Sequence, residues 1–345
     1  MVNNYIAGVD IGGTWIRVAL SPLALEQNNI KLKTTRNLKE SKYSISKSVI
    51  KLLYELLEEN NLSKAHLLSI GLASAGPLDM EKGEVFNNAN LGFKRIPLKD
   101  PIRKEFPNIP INLINDCNAA VLGVHFFEAN QKEKKNLVYI TLSTGIGGGV
   151  ICNGRLLLGK EGNAAEIGHG RIEPRSELEC NCGAKGCWEV FSSGTGVRRR
   201  ALKFIKEDKL NGEILLDLVE NDLAKITAKE VFKASKKGDQ ISQKVVRDCI
   251  FYTKVGIGLV NNFYDCTSVY LGGAMMNDKD QILPPLKKQF TEKPIEFTIN
   301  HAPKIKYTKL ADEVGLRGAL ALAKYKLEEN PIVPKFQEGS EKYEE

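Results

Sequence analysis

The sequence predicts an α/β protein with helices on the faces of its sheets. Two apolar stretches flank a glycine-rich turn near the start of the chain, and the same arrangement returns in its middle. Between and after these units, apolar runs typical of strands alternate with segments whose apolar residues recur at helical spacing. A chain of 345 residues is long enough for about two such domains.

The first half begins with a predicted hairpin, in which YIAGV and WIRVAL flank the turn DIGGT at 10–14. Helix spacing of the apolar residues predicts a helix over 45–57. The run HLLSIGLAS (66–74) is a predicted buried strand that ends in the turn AGPLD. PINLIND (110–116) is a further strand, and CNAAVLGVHFFEAN (117–130) is the helix after it.

The second half repeats the hairpin pattern with LVYITL, STGIGGG and VIC over 137–152, and Asn153-Gly154 predicts one more hairpin turn. Helices are predicted at about 189–206, 227–236 and 239–264, followed by the buried strand SVYLGG and an amphipathic last helix. We expect the domain boundary at NDCNAA. The expected units are a small domain of residues 1–117, a larger domain of residues 118–312, a helix at about 313–330 that packs back on the first domain, and a polar tail at 331–345.

Composition excludes several classes of protein. The chain is 42% apolar and 26% charged, as in ordinary globular proteins. No apolar run approaches the roughly 20 residues that span a bilayer, and the first residues lack the features of a secretory signal. We therefore expect a cytoplasmic protein without a membrane partner.

The net charge of +7 comes from scattered lysines. A solvated helix face explains the one tight basic run, Arg198–Arg200, better than a nucleic-acid site does.

Three cysteines crowd into ECNCGAKGCWEV at 179–190. In a reducing compartment such a cluster indicates metal ligands or redox groups rather than disulfides. Cys180, Cys182 and Cys187 with His169 have the composition of a Cys₃His structural zinc site, although their spacing departs from paired CxxC knuckles. Gly183 and Gly186 would let the loop fold around the metal. The other four cysteines are isolated and are expected to be buried small side chains.

The two glycine turns are candidates for phosphate binding, because glycine lets backbone N–H groups approach a phosphate closely. Each turn carries oxygen-bearing side chains: Asp10 and Thr14 in the first, Ser143 and Thr144 in the second. One such turn is weak evidence, but two suggest a nucleotide held between two domains. The Walker pattern and the GxGxxG dinucleotide pattern are both absent.

Two carboxylates and a histidine are candidate substrate groups. Asp116 follows a predicted strand directly, where ligands of open α/β sheets bind, and could accept a proton from a substrate hydroxyl. Capping of the following helix by Asn115-Asp116 explains the same residues equally well. Glu166 and His169 would share one face if their segment is helical.

These elements together resemble the ROK family of sugar kinases and related repressors, which have the two-domain actin-like, ribonuclease-H-type fold with a cleft between the domains. The resemblance covers nearly the whole chain. The segments that carry it are DIGGTWIR (10–17), AGPLD (75–79), NAN-LGF (88–93), INDCNAA (114–120), STGIGGG (143–149), EIGHG (166–170), CNCGAKGCWE (180–189), LGGAM (271–275) and GLRGALALA (315–323).

The resemblance implies a role for each matching residue. Phosphate and magnesium are expected near Asp10, Gly12, Gly13 and Thr14, with phosphate also near Thr144, Gly145 and Gly147, and adenosine near Gly272 and Gly273. The sugar is expected near Gly76, Asn90, Asn115, Asp116, Glu166, His169 and Glu189. Asp116 is the implied catalytic base, and His169, Cys180, Cys182 and Cys187 are the implied zinc ligands.

The expectation is an ATP-dependent hexose kinase, most simply a glucokinase, with ATP, Mg²⁺ and a structural Zn²⁺. The same residues would serve a kinase for fructose, mannose or an N-acetylated amino sugar. A sugar-responsive regulator of transcription is a different class, and the nine residues before Asp10 leave no room for a helix-turn-helix. A sugar-binding protein without catalysis would be expected to lack Asp116 or the glycine turns. A homodimer is expected from the frequency of soluble dimers.

Overall fold

The computed structural model describes residues 4–26, 30–36, 40–86, 92–207 and 210–327. Within them the chain forms two five-stranded sheets, a small three-stranded sheet and helices that cover the sheet faces. The strands are β1 (Tyr5–Ile11), β2 (Trp15–Pro22), β3 (Lys31–Arg36), β4 (Leu67–Ser74), β5 (Leu78–Asp79), β6 (Glu84–Phe86), β7 (Arg95–Pro97), β8 (Ile111–Asn115), β9 (Leu137–Leu142), β10 (Ile146–Cys152), β11 (Arg155–Leu156), β12 (Ser268–Gly272) and β13 (Lys304–Tyr307).

The helices lie mainly in the second half of the chain, as predicted. They are α1 (Ser44–Glu59), α2 (Lys99–Glu105), α3 (Asp116–Phe127), α4 (Glu189–Ser192), α5 (Gly194–Glu207), α6 (Glu213–Leu218), α7 (Ala228–Lys236), α8 (Gln240–Tyr264), α9 (Lys279–Glu292) and α10 (Val314–Leu327). None of the described helices combines the length and the apolar composition that crossing a membrane requires.

The two large sheets have the same topology. The first has the order β3-β2-β1-β4-β8 and the second the order β11-β10-β9-β12-β13. In each sheet the first three strands form an antiparallel meander, and the last two add in parallel beside the first strand. Both predicted glycine hairpins are therefore confirmed, and the repeat seen in the sequence is a repeat of whole sheets.

Two helices tie the sheets together. Helix α3 follows the last strand of the first sheet but packs on β9 and β10 of the second. Helix α10 follows the last strand of the second sheet but packs on β1 and β4 of the first. The backbones approach closely: a Cβ on Gly71 of β4 would lie 2.0 Å from the Ala319 carbonyl oxygen of α10. The last helix therefore supplies part of the core of the first sheet.

The crossing of α3 and α10 is equally close. A Cβ on Gly318 would lie 1.9 Å from the backbone oxygen of Ala119, and one on Gly123 would lie 2.8 Å from the backbone oxygen of Val314. Real Cβ atoms do not approach this near, so glycine is required at these positions for the two helices to touch. This contact sets the distance between the two sheets.

The structure departs from the predicted elements at three places. The predicted helix at 189–206 is interrupted at Ser193, whose extended backbone separates α4 from α5. The segment at 166–170 is not an α-helix; it contains one 3₁₀ turn at Ile167–His169. Helix α9 was not predicted, because Pro284 and Pro285 lie inside it and proline usually ends a helix.

The prediction that the basic run at 198–200 forms one solvated helix face was also wrong. Arg200 is only 7% exposed and its guanidinium pairs with Asp248, whereas Arg199 is exposed and donates to Asn181. The run therefore points in several directions and does not form one solvated face.

Substituting Gly318 tests the helix crossing. Alanine is a better helix former than glycine by about 1 kcal/mol, yet we expect Gly318→Ala to lower the free energy of unfolding by about 1–3 kcal/mol, because its methyl group meets backbone atoms. Urea unfolding followed by circular dichroism measures the change. Lys326→Ala, at an exposed position of the same helix, is the matched control and should be nearly neutral. A Gly318→Ala protein as stable as the control would show that the crossing is loosely packed.

Candidate active site

A cleft opens where the strands of the two large sheets end. The carboxyl ends of β1, β4 and β8 meet at one edge of the first sheet, since Ser74 pairs with both Ile11 and Asn115. The second sheet brings the turn between β9 and β10 and the end of β12 to its facing edge, with Gly272 beside Thr141. Side chains that follow these strands therefore converge.

Three adjoining cavities occupy the cleft. The inner cavity, of about 720 Å³, is lined by Gly76, Asn115, Asp116, Glu166, His169 and Glu189, among others. The middle cavity, of about 390 Å³, is lined by Asp10, Asp116, Gly272, Gly273 and Asn277, among others. The outer cavity, of about 590 Å³, is lined by Ser143, Thr144, Arg198, Phe232, Met275 and Asn277, among others. Ser143 lines all three cavities and Asp116 lines the first two, so one elongated ligand can run through them.

Asp116 lies at the junction of the inner and middle cavities. Asn115 is the N-cap of α3, and its Oδ1 accepts a hydrogen bond from the Cys117 N–H at 2.8 Å. Asp116 Oδ1 accepts from the same N–H, also at 2.8 Å. Both side chains thus fill the capping role considered for this pair, and the Asp116 carboxyl group still lines the cleft. Capping and a chemical role are compatible here.

Burial changes the acid–base behaviour of the cleft carboxyl groups. Desolvation is the largest effect on Asp10 and raises its pKa to about 6; Arg17 opposes this rise and Asp116 adds to it. Desolvation also raises the pKa of Asp116 and that of Glu166. A raised pKa makes a carboxylate a better proton acceptor, and groups of this kind are typical of active sites.

Glu189, the first residue of α4, joins two parts of the site. Its Oε2 accepts a hydrogen bond from the Ile146 N–H at 2.9 Å, which fixes it against the second glycine turn. Its Oε1 lies 3.7 Å from the Cys180 sulfur. A Cβ on Gly145 would lie 2.5 Å from Glu189 Oε2, so this turn position must be glycine for the carboxylate to reach it.

The cysteine cluster lies directly behind the inner cavity. The ligand atoms of His169, Cys180, Cys182 and Cys187 all lie within 4.8 Å of one another. His169 Nδ1 is 3.5 Å from the Cys180 sulfur, and the sulfurs of Cys182 and Cys187 are 3.7 Å apart. One imidazole and three thiols at these separations match the donor set and size of a tetrahedral zinc site.

The glycines of the zinc loop have left-handed backbone conformations, with φ of 89° at Gly183 and 76° at Gly186. At Gly186 a Cβ would also meet the Glu173 backbone oxygen at 2.0 Å. Their conformations let the loop bring the cysteines together, as the sequence suggested.

Most of the residues singled out from the sequence lie in the cleft. Gly76, Asn115, Asp116, Glu166, His169, Glu189, Thr144, Gly145 and Gly147 line the inner cavity, and Asp10, Gly272 and Gly273 line the middle one. Asn90 lies outside the described residues. Gly12, Gly13 and Thr14 form the turn between β1 and β2, where the Gly12 N–H donates to the Trp15 carbonyl, and they line none of the three cavities.

Sequence reasoning did not assign several residues that line the cleft. Cys117 and Thr141 line both the inner and the middle cavities, and Asn277 lines the middle and outer ones. Cys117 was set aside as an isolated buried thiol; burial is correct, but its position next to Asp116 was the available signal. Asn277 lies in a 3₁₀ helix after Gly273, and no sequence pattern marks it.

Two facing glycine turns on duplicated sheets are the arrangement of the actin-like ATPase fold, and solved structures of that fold resemble this one. The family model of the ROK family matches residues 6–326. The chain therefore belongs to the ROK family.

Named relatives agree with this assignment. A glucokinase of Halalkalibacterium halodurans is 33% identical over 290 residues, which is 84% of this chain and 86% of that protein. A ROK hexokinase structure from Thermus thermophilus is 25% identical with a TM-score of 0.76, covering 94% of this chain and 100% of the other. A ROK-family glucokinase from Streptomyces griseus, solved with glucose and AMPPNP, is 27% identical with a TM-score of 0.72, covering 93% and 99%.

The raised pKa of Asp10 predicts a stability cost. Between its ordinary pKa of 3.8 and its folded value of about 6, the folded state binds more protons than the unfolded state, so stability falls as pH rises through this range and stays lower above it. The cost above pH ~6 amounts to roughly 3 kcal/mol. We therefore expect Asp10→Asn to raise the melting temperature of the ligand-free protein at pH 8 and to change it little at pH 4. A substitution that destabilises the protein equally at both pH values would contradict this account.

Proposed function

We propose that the protein is an ATP-dependent hexose kinase that converts glucose and ATP into glucose 6-phosphate and ADP. The observation that carries the proposal is the position of Asp116, a half-buried residue whose carboxyl group lines both the inner cavity, together with the second glycine turn, and the middle cavity, together with Asp10. The relatives named glucokinase and the neighbour solved with glucose and AMPPNP support the same reaction.

In this proposal the sugar occupies the inner cavity. Carboxylates and amides are typical partners of sugar hydroxyls because they accept and donate hydrogen bonds in fixed directions. Asn115, Glu166, His169 and Glu189 supply such groups. The 6-hydroxyl would point toward Asp116, which takes its proton as the oxygen attacks the γ-phosphoryl group.

The nucleotide would place its phosphates where the inner and middle cavities adjoin, beside the second glycine turn, and would extend into the outer cavity. Backbone N–H groups of Thr144, Gly145 and Gly147 are suited to phosphate oxygens, and Gly272 and Gly273 allow close approach on the other side. The turn at 12–14 belongs to the opposite sheet, and closure of the cleft would bring it onto the phosphates. Closure would also exclude water, which otherwise competes for the phosphoryl group.

Asp10 and Asp116 fit a magnesium-bound nucleotide. Both are half-buried residues whose carboxyl groups line one cavity, and the charge of Asp116 raises the pKa of Asp10, so a cation between them would relieve their repulsion. Carboxylate oxygens suit Mg²⁺, which is commonly held by one or two carboxylates plus substrate phosphates. Bound with ATP, Mg²⁺ would neutralise charge on the phosphates.

A structural Zn²⁺ in the cysteine cluster would act on the sugar through His169. A metal-bound imidazole has its tautomer and direction fixed, so its second nitrogen is held toward a defined partner. His169 also lines the inner cavity, and Glu189 connects the cluster to the second glycine turn. The metal would thus shape the sugar pocket without taking part in phosphoryl transfer.

Other sugar substrates, and the different functional class of a non-catalytic regulator, are outcomes that the assay described below distinguishes. The inner cavity, at about 720 Å³, has room for fructose, mannose or an N-acetylated amino sugar as well as glucose. A non-catalytic sugar-responsive regulator would bind sugar without releasing ADP.

We also propose that the protein forms a homodimer, the most frequent assembly of soluble proteins.

A coupled ADP-release assay over a panel of hexoses, with the wild type and Asp116→Asn, tests the function. We expect glucose to be turned over with Mg²⁺ and ATP. Asp116→Asn should lower kcat by about 10²–10⁴-fold, the usual contribution of a general base, while sugar binding measured by calorimetry is retained. A variant with half of the wild-type kcat would remove Asp116 from this role. A wild type that binds sugar but releases no ADP with any hexose would favour the regulator.

Elemental analysis of the purified protein tests the zinc site. We expect one zinc per chain, lost in Cys187→Ser, because a hydroxyl is a poor replacement for a thiolate ligand. Removing the metal should raise the KM for sugar with a smaller effect on nucleotide affinity, since the cluster borders the inner cavity. Cys266→Ser, at a buried cysteine between α8 and β12 and far from the cluster in sequence, is the control that should keep its zinc. A zinc-free wild type with full activity would contradict the proposal.

A further inference from the structure

The outer cavity contains an arginine that neither the sequence analysis nor the proposed roles account for. Arg198 lies in the first turns of α5 and lines this cavity together with Phe232 and Met275. It is half-buried, unlike the exposed Arg199 that follows it. Its position therefore separates it from the rest of the basic run.

The guanidinium of Arg198 is anchored on one side only. Its Nε donates a hydrogen bond to the Ile226 carbonyl oxygen at 2.7 Å. Arginine has five donors, so this bond leaves the two terminal nitrogens for another partner. Among the described residues no carboxylate forms an ion pair with it: Asp278, the acidic residue of the same cavity, pairs with Lys236 at 3.6 Å instead. The side chain is thus held in place by Nε, and its two terminal nitrogens can donate hydrogen bonds to a ligand.

The surroundings of Arg198 indicate what it would meet. Phe232, Ala228, Ala274 and Met275 give the outer cavity apolar walls. Gly145 and Gly147 of the second glycine turn line the inner cavity, and Ser143 and Thr144 of the same turn line both the inner and the outer cavities. An elongated nucleotide with its phosphates at the turns would place its flat, uncharged base among these walls. A planar guanidinium stacks on aromatic rings and donates to ring nitrogens.

We propose that Arg198 is a nucleotide-specificity residue that binds the adenosine part of the donor, with its planar guanidinium against the base. The proposal rests on the proposed function, since it takes the outer cavity as the site of the nucleoside. The Ile226 carbonyl orients the side chain, so the planar group is preorganised before the nucleotide arrives.

The experiment measures dissociation constants of ATP, ADP and AMP by calorimetry, without sugar, for the full-length wild type and Arg198→Met. A contact to adenosine is present in all three nucleotides. We therefore expect the same increase in Kd for each, about 10- to 100-fold, the range of a hydrogen bond or contact that involves a charged group. In the coupled assay the KM for ATP should rise with the Kd, whereas the KM for glucose should not. An increase that shrinks from ATP to AMP would place Arg198 on the phosphates and overturn the proposal, as would an unchanged Kd for ADP.

Further variants separate binding from local structure. Lys203→Met, at an exposed position of the same helix, should leave all three constants unchanged. Arg198→Gln keeps a donor for the Ile226 carbonyl but lacks the charged plane, so it should weaken binding as Arg198→Met does; full affinity in this variant would reduce Arg198 to a loop anchor. Arg198→Lys keeps only the charge and should not restore affinity. A wild type that binds ADP but phosphorylates no sugar would overturn the proposed function alone, and one that binds no adenine nucleotide would overturn both.

Discussion

The contact between α3 and α10 is the constraint on which the rest of the structure depends. Each helix leaves one sheet and packs on the other, and they touch where Gly318 meets the backbone of Ala119. Asp116 begins α3, and Gly315 near the start of α10 lies so close to Asp10 that a Cβ there would be 3.0 Å from its Oδ1. The same crossing that joins the sheets therefore also positions the carboxyl groups of Asp10 and Asp116 in the cleft.

A second connection passes through Glu189. It is one residue beyond the tryptophan that follows Cys187, so its place in the chain is set by the cysteine cluster, while its carboxylate is set by the Ile146 N–H. Glu189 thus links the cluster and the second glycine turn across the wall of the inner cavity. Carboxylates that serve as hydrogen-bond acceptors within a folded framework lose the freedom to rotate, which is how a binding site keeps its shape before the ligand enters.

The local sequence pattern was sufficient to predict those parts of the fold that depend on residues close together in the chain. Both glycine hairpins, helix α1 and the strand before Asp116 follow from alternation, helical spacing and turn chemistry. Its position after a strand marked Asp116, whereas the resemblance to the ROK family supplied most of the other candidate site residues. The failures have non-local causes. Ser193 interrupts a helical pattern because its neighbour Gly194 donates to the Ser143 carbonyl in the distant glycine turn. The surroundings of Arg198 and Arg200 depend on Ile226 and on Asp248, which helix spacing does not reveal.

The position of α10 has a consequence for the order in which the protein folds during synthesis. The ribosome makes the first sheet early, but the helix that covers one of its faces is among the last described segments of the chain. Until that helix emerges, apolar residues such as Ile6 and Ala19, which pack with Leu316 and Leu320, have no covering layer. Exposed apolar surface of this kind makes a nascent chain prone to aggregate. The core of the first sheet is thus begun first and finished last, and a chain cut short before residue 314 would lack the helix that closes it.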